Sequence, residues 1–270
     1  MSNQTSQSEN APTAGRQERD IRPPSPVRAI LLVCRLGLSK TLRGKLLWGC
    51  LALMALPLLA EIAIVASGHS LPADETATFF RSWLTMVLPL AAILASYSGV
   101  SEEVESQTVT YLYSRPLGRW TLPAGKLATS VAVLAPAAIV FLTAGSLLSP
   151  DGAPAGGLLV GGVLAVTVYS SLALCAGALV PRHAVLASLG LLALLDMGLG
   201  QVPGFTQTLT PGFHLKNVAG LLAPPGRLEL LMSTPSADPS TSGVVLVIQT
   251  AAFLAVAIAR CTFWEYRSSR

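Results

Sequence analysis

Six apolar runs, at 46–66, 83–100, 127–148, 157–180, 184–202 and 243–259, dominate this chain of 270 residues. Each is at least 17 residues long. A helix of about 17–20 apolar residues crosses the ~30 Å hydrocarbon core of a bilayer. Only Glu61 and Asp196 put a carboxylate inside a run. In lipid an unpaired backbone N–H or C=O costs several kcal/mol, so a span is either a helix or part of a closed barrel. The runs are continuous rather than alternating, which excludes the barrel. Charge agrees: Asp, Glu, Lys and Arg make up 12% of residues, about half the share in a soluble domain. The expected fold is all-α, a polytopic membrane protein with six transmembrane helices.

The cations set the orientation. With the N-terminus inside, 15 of the 18 Lys and Arg fall in cytoplasmic segments. The outer loops keep only Arg81, Lys216 and Arg227. The positive-inside rule then predicts an N-in, C-in protein of the cell (cytoplasmic) membrane. The net charge of +4 is explained by that placement, and no nucleic-acid partner is expected. No cysteine lies in an outer loop, so Cys34, Cys50, Cys175 and Cys261 are expected to be free thiols.

Residues 1–27 are polar and rich in Ser, Gln and Pro, which predicts a disordered cytoplasmic tail. The six-span body occupies 28–270. Residues 28–45 mix Arg28, Arg35, Lys40 and Arg43 with leucines and read as an interfacial helix on the inner leaflet. A basic juxtamembrane anchor without fixed structure is the alternative. The loop at 101–126 is the longest cytoplasmic connection, and 203–242 is a long outer loop. Short helices at 213–222 and 227–232 suit that outer loop, either re-entrant or lying on the surface.

Catalytic signatures are missing. Gly125-Lys126 has Trp120 where a P-loop needs glycine, and Leu127 where it needs Ser or Thr. There is no HExxH and no GxSxG. His69, His183 and His214 are scattered, without metal-ligand spacing, and read as loop residues. No cofactor or metal is expected. Glu61, near the outer end of its span, is expected to reach water. Asp196 lies deeper, in Leu-Leu-Asp-Met-Gly-Leu-Gly. An intramembrane Asp is a functional polar site by default, or else a structural hydrogen bond to a neighbouring helix or an outer-cavity position. Gly157, Gly161 and Gly162 form a small-residue face suited to close helix packing.

The inner loop is the most informative segment. Glu102, Glu103 and Glu105 open a short helix where the dipole favours negative charge. Val104, Thr108, Tyr111 and Leu112 follow at helical spacing and make one apolar-edged stripe. Pro116 ends the helix, and Arg115 and Arg119 add positive charge at its far end. The arrangement suits either a docking element for a cytoplasmic partner or a solvated loop.

This loop resembles the signature of ABC-2 type transporter permeases. Glu103 and Glu105, Thr108, Ser114-Arg115-Pro116, Arg119 and Gly125-Lys126 carry the match, in ungapped register from Thr108 to Lys126. Gln107 stands where that family usually has glycine. The likeness covers about residues 28–270 and implies a permease subunit that is not itself an enzyme. It implies dimerisation, as homodimer or heterodimer, and pairing with two cytoplasmic ABC ATPase subunits. It places Glu102, Glu103, Glu105, Thr108, Tyr111, Arg115, Pro116, Arg119 and Lys126 at or beside the ATPase contact. Family members export drugs, lipids or polysaccharides, among other tasks, and no substrate is singled out. An ATP-independent carrier that uses Asp196, and a non-transporting membrane anchor, remain alternatives.

Overall fold

The computed structural model describes residues 25–68, 73–97, 118–148, 155–202, 205–220 and 237–263. Among the described residues the secondary structure is helical and there is no strand. The predicted tail, apart from its last three residues, lies outside them. So do the inner loop up to residue 117 and the segment 227–232.

Helix α1, Pro26–Arg43, starts with proline at its first position, where the missing N–H costs nothing. It stops at Gly44, whose extended backbone separates it from α2, Lys45–Ala66. The next rod is built from α3, Ala73–Ser82, a π-helical turn, Trp83–Val87, and α4, Leu88–Ser96. Pro89 accounts for the wide turn. It cannot donate to Thr85, and its ring would crowd that carbonyl in a regular α-helix. Helix α5 is Thr121–Leu148, and α6 is Ala155–Leu179. Then come α7, Ala184–Leu192, a π turn, Ala193–Gly198, and a 3₁₀ turn, Leu199–Gln201. Helix α8, Pro211–Ala219, is short, and α9, Pro239–Phe263, closes the fold. Asp238 precedes Pro239 and accepts from Thr241 N at 3.3 Å, so α9 begins with an Asp cap and a first-turn proline.

Among the described residues, five helices are long and apolar enough to cross a membrane: Lys45–Ala66, Phe79–Ser96, Thr121–Leu148, Gly156–Leu179 and Pro239–Phe263. The chain is a multi-pass membrane protein. The run at 184–202, expected as the fifth span, is helical but changes type twice and is not one long α-helix. Ala184 lies beside Gly177 at the end of α6, and Asp196 reaches the start of α8.

Helix α6 is the hub and packs against α4, α5, α7, α8 and α9. About 72% of its apolar window is buried inside the protein, against 17% for α2 and for α9. Small residues make this possible, because apolar side chains gain nothing by leaving lipid and helices associate through close backbone approach. A β-carbon on Gly161 would touch Leu84, and one on Gly162 would come within 2.5 Å of Leu142. The expected packing role of this glycine face is what the structure contains. At the other end of α6, a β-carbon on Gly177 would lie 2.9 Å from the carbonyl oxygen of Tyr97.

Helix α1 packs along the first turns of α5. Gly37 faces Thr129, and Gly125 faces Val33, each leaving no room for a β-carbon. Thr129 Oγ1 donates to Gly125 O at 2.9 Å and lies 3.3 Å from Cys34 O. The glycine of the Gly-Lys pair thus has a packing reason here. Leu31, Leu32, Leu36 and Leu42 of α1 are exposed.

Candidate functional site

A polar node forms where α6, the second π turn and α8 meet. Asp196 is its centre. One carboxylate oxygen accepts from Gly212 N at 2.9 Å, and the other accepts from the hydroxyl of Tyr169 on α6. Tyr169 is fully buried. Gly212 is the second residue of α8, so its N–H is one that the helix itself cannot satisfy. Thr210 caps the same helix by accepting from Phe213 N at 3.4 Å. The negative charge of Asp196 sits at a helix N-terminus, where the dipole favours it. A β-carbon on Gly212 would lie 2.9 Å from Asp196 Oδ1, so the approach requires glycine.

Helix α8 is buried almost throughout, from Pro211 to Ala219. It lies against α6 and α9. Asn217 Nδ2 donates to Ser242 Oγ of α9 at 3.1 Å. This short helix is therefore packed into the bundle and is not a surface helix. His214, expected as a loop residue, is buried within it and donates through Nε2 to Thr208 O at 2.7 Å. Burial lowers its basicity, and the bond to Thr208 offsets part of that. A released imidazole titrates near 6.5, so below about that pH the unfolded chain binds more protons than the folded one. Stability is then lost as pH falls. A melting curve at pH 5.5 is expected below that at pH 7.5, and His214→Gln is expected to remove part of the difference.

Beside Asp196 is a cavity of about 220 Å³. Met86, Leu90 and Phe213 supply apolar wall, and Gln207 and Lys216 supply polar groups. Burial pulls the Lys216 ammonium below its usual value, with a further push from Arg81 and an opposing pull from Asp196. Among the described residues no three His, Cys, Asp or Glu come together to hold a metal ion.

Glu61 corrects the sequence reading. It does not reach water: it is 2% exposed. The buried residues of α2 are Leu47, Cys50, Met54 and Glu61, a single stripe at helical spacing. That stripe turns Glu61 toward α5, where Gly145 makes room. A β-carbon on Gly145 would lie 3.2 Å from Glu61 Oε2 and 3.0 Å from the Trp83 ring. Trp83 stacks on Phe80 with centroids 6.0 Å apart. Glu61 is thus buried and Asp196 half-buried, on different helices.

Of the expected loop residues, Glu102, Glu103, Glu105, Thr108, Tyr111, Arg115 and Pro116 lie outside the described residues. Arg119 and Lys126 are described. Arg119 donates to Thr262 O at 3.2 Å, in the last turn of α9, where the free carbonyls attract a cation. Lys126 lies in the second turn of α5 and is half-buried. Sequence reasoning missed Tyr169 and Gly212. The signal for Tyr169 was available, because an intramembrane Asp demands a buried donor and the adjacent run carries a tyrosine. Nothing local marks Gly212.

Residues 31–266 match the family described as ABC-2 family transporter protein. A search of curated proteins finds no match to the chain.

Proposed function

The chain belongs to the ABC-2 family of transporter proteins, and we propose that it is the membrane half of an ATP-driven exporter. Membership makes it a non-catalytic transmembrane transporter subunit and implies ABC ATPase partners. The finer reading is a dimer of permease chains, identical or not, driven by two ATPase subunits. In it all six runs cross, with 184–202 as a broken fifth span and both termini cytoplasmic. Helix α1 lies at the inner leaflet, its exposed leucines in lipid. The segment 101–126 couples to the ATPase.

The observation that carries this reading is the family match over most of the chain, joined to its apolar helices. The bond from Arg119 to the end of α9 supports the coupling role. Motion of the inner loop would pull on α5 and α9 together, and both pack on the hub α6. Asp196 has both carboxylate oxygens engaged, which suits a strut better than a coupling site for protons.

The test is affinity purification of the tagged chain from mild detergent. A P-loop ATPase is expected to come with it, and the chain alone is expected to bind no ATP. Deleting 102–119 is expected to abolish the association. An ATPase that stays bound after the deletion ends the coupling role. A chain that purifies alone even in lipid-retaining conditions ends the ATP-driven reading and returns attention to Asp196 as a carrier site.

A further inference from the structure

We propose that the cavity beside Asp196 holds the head of a phospholipid that carries both a primary ammonium and a phosphate, with the ammonium on Asp196 and the phosphate on Lys216. Both charged side chains line the same space of about 220 Å³. They attract each other, yet the carboxylate oxygens are turned to Gly212 N and to the Tyr169 hydroxyl. A carboxylate has about four lone-pair sites, so it can still accept from a ligand. A head with one charge of each sign leaves the balance of the cavity unchanged. A head with a single charge meets one partner and one like charge.

The hydrogen bonds already made also select the ammonium. The Thr85 hydroxyl donates to Arg81 O at 2.8 Å. That of Thr210 donates to Gln207 O at 2.9 Å and accepts from Phe213 N. Gln207 Nε2 donates to Gly200 O at 3.2 Å. The Thr85 oxygen and the Gln207 amide oxygen remain as acceptors, and an acceptor-rich wall suits a head with N–H donors. A quaternary ammonium has no N–H and relies on aromatic faces. Among the described residues lining the cavity, only Phe213 is aromatic.

Size and setting point to a lipid. Sites that enclose drug-sized ligands measure about 300–1,000 Å³, so this space takes a head and leaves the chains outside. Met86 and Met197 line the cavity and are 50% and 54% exposed, which carries its apolar wall onto the protein surface. They come from the two π turns, each set in an apolar run, and π turns are frequent at functional sites.

The proposal needs only that these turns lie at membrane depth. It depends on neither the orientation nor the ATPase, so it and the exporter reading fail separately. The full chain is delipidated in detergent and titrated with phosphatidylethanolamine, phosphatidylcholine or phosphatidylglycerol, and bound lipid is counted by native mass spectrometry. One phosphatidylethanolamine per chain is expected, bound about fivefold more tightly than either other lipid. Lys216→Gln is expected to weaken it about fivefold. Lys216→Arg is expected to retain it, which separates loss of charge from loss of fold. Asp196→Asn is expected to erase the preference over phosphatidylglycerol, which a role only in holding α8 would not do. Equal binding of the three lipids by the parent chain, or undiminished binding in Lys216→Gln, would overturn the site. A preference over phosphatidylglycerol that survives in Asp196→Asn would overturn the ammonium assignment. Displacement of the lipid by an equal concentration of glycerophosphoethanolamine, which has the head without the chains, would make it a site for a free zwitterion and overturn the lipid assignment.

Discussion

Asp196→Ala is expected to lower the stability of the detergent-solubilised chain by about 2–6 kcal/mol. It strands two buried donors, the Tyr169 hydroxyl and Gly212 N–H, and each stranded buried donor costs about 1–3 kcal/mol. Asp196→Asn is expected to cost far less, about 1 kcal/mol. Its amide oxygen can still accept from Gly212, and the Tyr169 hydroxyl can turn to accept from the amide nitrogen. Denaturant or thermal unfolding of the three chains checks the order. Gly212→Ala pushes on the same carboxylate, so its effect is expected to shrink in an Asp196→Ala background, as coupled neighbours do. If Asp196→Ala is as stable as the parent, Asp196 does not hold α8. If Asp196→Asn keeps stability but loses transport without an ATPase present, the carrier reading gains.

The second large effect concerns the hub. Gly177→Ala sets a methyl 2.9 Å from the backbone oxygen of Tyr97. A carbonyl in a helix end cannot swing aside, so α4 and α6 must part. Overpacking of this kind costs about 1–3 kcal/mol. Gly162→Ala has a shorter nominal approach, 2.5 Å, but to Leu142 Cδ1, the far end of a flexible side chain. It is expected to cost less than Gly177→Ala. Gly190→Ala meets nothing within 4 Å and is expected to be neutral or to stabilise α7 by up to about 1 kcal/mol, the difference in helix propensity. Melting temperatures of the three variants in one detergent give the ranking. A Gly177→Ala chain that melts with Gly190→Ala would show that α4 and α6 do not need this contact.

Much of the site was beyond one-dimensional reading. Asp196 stood out as a polar group in an apolar run, and a bond to a neighbouring helix, among the readings considered for it, is present. Its partners lie 27 and 16 residues away in sequence, and no periodicity connects them. Glu61 was misjudged by its place along the span. Depth along a helix says where a residue sits, but the stripe Leu47, Cys50, Met54 and Glu61 says which way it faces. The inner-loop residues from Glu102 to Pro116 remain a proposal drawn from resemblance and helical spacing.

Sequence alone determined that this chain is a bundle of membrane-crossing helices, because lipid offers the backbone no partner but itself. Composition and run length suffice for that inference. The Gly-Lys pair and the loop before it also pointed to the family. Tertiary structure decided the rest: which helix is the hub, that α8 is buried instead of lying on the surface, and that the run at 184–202 breaks into α, π and 3₁₀ turns. In lipid all apolar faces are nearly equivalent, so hydropathy cannot choose among them. The choice falls to close contacts between small residues and to a few buried hydrogen bonds, made between residues distant in the chain.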